Sequence, residues 1–63
     1  MTYKQQLESI IDSLNSALSD ADKFDNGVDA AGKRLRAIAQ DNKNSLHNLR
    51  LAVQAERNSR KNS

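Results

Sequence analysis

The sequence predicts an all-α protein, an antiparallel two-helix hairpin that self-associates into a helical bundle or coiled coil. Three observations lead there. The chain has no proline, only two glycines and many helix-favouring residues, so its local preference is helical throughout. Its apolar residues recur at intervals of three and four, the period that lines one side of a helix. One site, Asp25-Asn26-Gly27, combines residues that tolerate the left-handed conformation ending a helix.

Size supplies the expectation of self-association. Sixty-three residues form one domain, near the limit below which a single chain buries too little apolar surface. Domains this small are usually held by disulfides, a metal or oligomerisation. With no cysteine and one histidine, the first two routes are closed. A homo-oligomer, dimer or tetramer, is the remaining route.

The first helix is expected over about residues 3–24. Thr2 and Gln5 have capping-box spacing, in which the hydroxyl accepts from the Gln5 N–H and the amide reaches back. Tyr3, Leu7, Ile10, Leu14, Ala17 or Leu18, Ala21 and Phe24 then fall on one stripe, with Glu8, Asp12 and Asp20 elsewhere. The turn is expected at 25–28, with Asp25 or Asn26 capping the second helix and Asp29 in its first turn. The apolar spacing also runs on through Phe24, Val28, Ala31, Leu35 and Ile38, so one continuous helix is the alternative. The hairpin is preferred because it lets the two stripes meet within one chain.

The second helix is expected over about 29–57, with 58–63 a frayed polar and basic tail. Its stripe is Val28, Ala31, Leu35, Ile38, Ala39, Leu46, Leu49 and Val53. Asn42 interrupts it, either to fix register and copy number within the seam or turned to its edge and water. Gly32 beside the stripe permits close approach of another backbone. The second helix should outlast the first by roughly 10 Å, so its basic end projects. The residues expected to build the core or the oligomer contact are Leu7, Ile10, Leu14, Leu18, Phe24, Leu35, Ile38, Leu46, Leu49 and Val53.

Charge divides along the chain. Residues 1–25 carry two cations against five carboxylates, and residues 26–63 carry eight against three. An acidic scaffold with a basic working surface fits this, and so do two helices that attract one another. On a helical projection Lys33, Arg36, Gln40, Lys43, His47, Arg50, Gln54, Arg57 and Lys61 lie within about 60° of one line, with the apolar stripe centred roughly 105° away. Cations at Arg36, Lys43, Arg50 and Arg57 repeat every seven residues, about 10.5 Å per step. Such a row suits a polyanion, because Arg and Lys neutralise phosphates while Gln and His donate to phosphate oxygens. No aromatic residue lies among its cations, which favours duplex backbone contact over stacking on single strands. The bland alternative is a solvated coiled-coil flank paired with acids of a neighbouring helix.

Other classes have little support. A two-helix hairpin offers no concave site for general acid–base chemistry, and His47 reads as a surface hydrogen-bonding group. Gly27 and Gly32 fit no phosphate-loop pattern, and the acids of the first helix form no metal-binding loop. No enzyme activity, cofactor, metal or small-molecule substrate is expected. The apolar runs fall far short of the roughly 20 residues a bilayer span needs. The N-terminus has no basic region before an apolar run, so no signal peptide is expected either.

From Lys23 to Asn58 the chain resembles the bacterial linker-histone-like proteins, the chlamydial-type histone-like nucleoid family. The likeness rests on Lys23-Phe24, Gly27, and Ala30-Ala31-Gly32-Lys33-Arg34-Leu35-Arg36, a Gly-x-x-Ala-Ala-Gly-x-Arg-x-Arg core. It resumes at Leu46, Leu49-Arg50, Val53-Gln54 and Arg57-Asn58. It implies a nucleoid-associated protein that binds DNA and helps condense or organise a bacterial chromosome, in the cytoplasmic location expected of a chain with no membrane span and no signal peptide. Carried over by position, it implies phosphate contact by Lys33, Arg34, Arg36, Arg50 and Arg57, beside Lys43, His47 and Lys61 from the row itself. The family pattern has Asn where this chain has Val28, Lys where it has Asn42 and Asn44, and often a Lys-rich C-terminal extension. Fewer cations imply weaker, more salt-sensitive binding. The expected function is therefore sequence-nonspecific binding of nucleic acid, duplex DNA first, by a basic helix face. The rival expectation is a coiled-coil protein–protein module, and RNA is a third.

Overall fold

The computed structural model describes residues 1–61. Two helices, α1 (Tyr3–Asp25) and α2 (Asp29–Lys61), pack as an antiparallel hairpin in a rod of 54 × 16 × 14 Å. The chain reverses at 26–28, so the continuous-helix alternative does not hold.

The capping box forms as its spacing requires. The Gln5 N–H donates to Thr2 Oγ1 at 3.0 Å, and the Thr2 N–H donates to Gln5 Oε1 at 3.0 Å. At the other end Gly27 takes φ 93°, and the N–H groups of Gly27 and Val28 donate to the carbonyls of Phe24 and Lys23. That is a Schellman ending, which the breaker sequence anticipates. Asn26 does not cap α2 as expected. Its Nδ2 donates to the Asp22 carbonyl at 2.9 Å, so it closes α1 instead. Asp29 stands in the first turn of α2. α2 runs to Lys61, four residues past the expected end near Arg57, and Arg60 pairs with Glu56 across that last turn at 3.1 Å. Residues 62–63 of the expected tail lie outside the described residues.

Three contacts set one register between the helices. The Tyr3 hydroxyl reaches the Ala52 carbonyl at 3.5 Å, Asn42 Nδ2 donates to Ser13 Oγ at 3.1 Å, and Arg34 Nε donates to Asp20 Oδ1 at 2.9 Å. Residues 54–61 of α2 therefore have no opposite number on α1 and project by about 12 Å.

The seam is narrow. Ile10, Ala17, Ala31 and Asn42 are buried, with Ser13, Leu35, Ile38 and Leu49 half-buried beside them. Asn42 thus lies inside the seam, also donating to the Ile38 carbonyl at 2.9 Å, and does not turn to its edge. Phe24 lays its ring over Gly32, where an added Cβ would stand 2.6 Å from Cε2. The close approach that this glycine allows is to a ring, where a backbone was expected.

The apolar stripes are wider than this seam. Leu14, Leu7 and Leu18 are 46%, 44% and 68% exposed, and Leu46 and Val53 are 47% and 38% exposed. These residues, with half-exposed Phe24, do not build the core of the hairpin. The leucines and Val53 lie on one side of it. Asp20 and Arg34 meet across the seam on one face, and on both helices the exposed leucines stand more than about 100° round from that pair. Because α2 runs antiparallel to α1, the same sense of rotation on each helix leads to the same face.

Candidate nucleic-acid interface

The geometry of α2 separates three duties around one cylinder. Its seam edge, Ala31, Ile38, Asn42 and Leu49, faces α1. Next comes the apolar flank of Val28, Leu46 and Val53, and then the polar row. Lys33, Arg36, Gln40, Lys43, His47, Arg50, Gln54, Arg57 and Lys61 are all exposed. At 1.5 Å per residue the row is about 42 Å long and follows the outer edge of the hairpin, away from α1. It borders the apolar flank directly, since Arg50 and Arg57 share a shallow groove with Leu46 and Val53.

Acids stay off this row. Among the described residues two ion pairs form, Arg34 with Asp20 and Arg60 with Glu56, and neither takes a cation of the row. Asp41 lies on the other side of α2, and Asp29 alone stands at the start of the row. Six cations therefore face solvent in sequence. The row is a linear array of positive charge beside amide and imidazole hydrogen-bonding groups, which matches a chain of phosphates better than a single small anion.

Arg34 is the site residue that the structure sets apart. It projects on the opposite side of α2 from the row and is engaged by Asp20, whose side chain is only 13% exposed. Its role here is to join the helices. The attraction between an acidic first helix and a basic second one is thus realised at one position, without drawing on the row. Sequence reading did not find Ser13 as the partner of Asn42, nor Asp20 as that of Arg34. Each needs the register between helices, which spacing within one helix does not contain.

Among the described residues no helix is long and apolar enough to cross a membrane, and no cluster of His, Cys, Asp or Glu is suited to a metal ion. Neither the curated proteins nor the solved structures include a match to this chain. The family model of Histone H1-like protein Hc1 matches residues 4–59, spanning both helices and reaching well before the resembling stretch that starts at Lys23. The chain belongs to the histone H1-like Hc1 family, a family of DNA-binding structural proteins and not of enzymes.

Proposed function

We propose that the protein binds duplex DNA without sequence preference through the outer row of α2 and so helps organise or condense it in the nucleoid of a cell's cytoplasm. The observation that carries this reading is the row itself: six solvent-facing cations along about 42 Å, with the hairpin's own ion pairs made elsewhere. Lys33, Arg36, Lys43, Arg50, Arg57 and Lys61 neutralise phosphates, and Gln40, His47 and Gln54 add hydrogen bonds to phosphate oxygens. Backbone contact is sequence-tolerant because phosphates carry no base identity. With about five contacts per protomer, log affinity falls against log salt with a slope of roughly −4 to −5.

Retardation of random-sequence duplex DNA over a salt series tests the reading. Combined reversal of Arg36, Lys43 and Arg50 to Glu abolishes retardation and leaves helicity by circular dichroism intact, since all three side chains point to solvent. Normal binding by that variant at moderate salt refutes the assignment. Preferential competition by duplex RNA would change the ligand and keep the row.

A further inference from the structure

A straight row and a winding groove can meet only over a short length. The row of α2 is about 42 Å long, more than the roughly 34 Å over which the major groove winds once round the duplex. One stretch of α2 can lie in the groove, and the rest must cross the sugar–phosphate walls. The groove is about 12 Å wide, enough for a single helix. The hairpin is 16 × 14 Å across, so along 33–53 α1 meets a wall before α2 reaches the floor. Residues 54–61 stand past the start of α1, and all of them but Glu56 are exposed. Theirs is the stretch whose width fits.

The side chains of this stretch suit a groove as well as its width does. Gln54 and Lys61 lie within about 20° of the centre line of the row, with Arg57 to one side and Asn58 to the other. Gln54 and Lys61 are about 10.5 Å apart along the helix, roughly three base-pair steps. Glu56, the one acid of 54–61, lies about 160° round α2 from that line and accepts from Arg60 at 3.1 Å. We infer that residues 54–61 enter the major groove, where Gln54 and Lys61 donate to purine N7 atoms while Arg57 and Asn58 meet the phosphates of its two walls. This placement rests on the proposal that the α2 row binds duplex DNA, and it turns Gln54 and Lys61 from phosphate to base. Lys33, Arg36, Lys43, Arg50 and Arg57 remain as the cations that neutralise phosphates. Every base pair presents a purine N7 in this groove, so such contacts hold the helix without demanding a sequence.

A synthetic duplex in which 7-deazaguanine and 7-deazaadenine replace the purines keeps every phosphate and every base pair and removes N7. The unaltered protein is expected to bind it roughly 10-fold more weakly than the ordinary duplex, two hydrogen bonds being lost. The combined variant Gln54→Ala, Lys61→Ala is expected to bind both duplexes alike, within about 2-fold. Both side chains are exposed, so its helicity by circular dichroism should match that of the unaltered protein. Lys43→Ala, which loses a phosphate contact, binds both duplexes more weakly and keeps the ~10-fold ratio between them. Equal binding of the two duplexes by the unaltered protein overturns the groove contact and leaves the phosphate row standing. A ratio that survives in the combined variant overturns the assignment to residues 54–61. Retardation of neither duplex refutes the DNA-binding reading itself.

Discussion

Arg34 and Arg36 are two residues apart and carry the same charge, yet the hairpin gives them separable tasks. Arg34 donates to Asp20 across the seam at 2.9 Å, and Arg36 faces solvent in the row. Replacing each by Gln removes one charge and keeps most of the length. Arg36→Gln deletes one phosphate contact, so the slope of log affinity against log salt becomes shallower by about 0.9. The gap between variant and unaltered protein therefore narrows about 3-fold between roughly 50 and 200 mM salt, because a 4-fold change in salt acts on that slope. Arg34→Gln leaves the slope unchanged. It instead weakens the hairpin by about 0.5–1 kcal/mol, held to the range of a partly exposed pair because half of the Arg34 side chain is in water. In a chain this short that lowers the thermal midpoint by roughly 4–8 °C. Fluorescence anisotropy of a labelled duplex at several salt concentrations and melting by circular dichroism read the two effects separately. Equal losses of slope for the two variants would refute the division of tasks.

Two further predictions concern the scaffold. Asn42→Ala and Ser13→Ala each lower the thermal midpoint, and a double-mutant cycle gives a coupling of about 1 kcal/mol, the worth of one hydrogen bond. Strict additivity would reject the bond. Gly27→Ala costs about 1–2 kcal/mol in denaturant unfolding, since φ 93° is unfavourable for any Cβ. Open space around that Cβ removes steric clash as a second cause, so an unchanged midpoint would refute the Schellman ending.

Much of the scaffold was legible because its signals are local. Thr2 and Gln5 are three residues apart on one turn, so their reciprocal bonds need no distant partner. Gly27 stops α1 through its own backbone freedom. The row from Lys33 to Lys61 follows from helical period alone. The end of α2 was misjudged because composition suggested fraying, whereas Glu56 lies one turn before Arg60 and pairs with it. Asp25 or Asn26 is expected to cap α2, but Asn26 adjoins both helices, and only the path of the turn shows that its amide meets a carbonyl of α1.

The apolar stripe shows where local reading ends. Spacing groups Ile10 with Leu14 and Leu18, since all lie within one broad arc, and it does not say how much of the arc one neighbouring helix can cover. The hairpin covers one edge, burying Ile10 and Ala17, and leaves Leu14 and Leu18 in water. Likewise Arg34 and Arg36 share a motif and differ only in which side of α2 faces α1. What the sequence by itself determined is the helical character, the turn, the apolar and cationic arcs and their angular order. Tertiary structure alone decided the register that joins Asn42 to Ser13 and Arg34 to Asp20, and with it which leucines stay uncovered. The reason is that periodicity describes a single helix about its own axis, while register and coverage depend on how two axes approach.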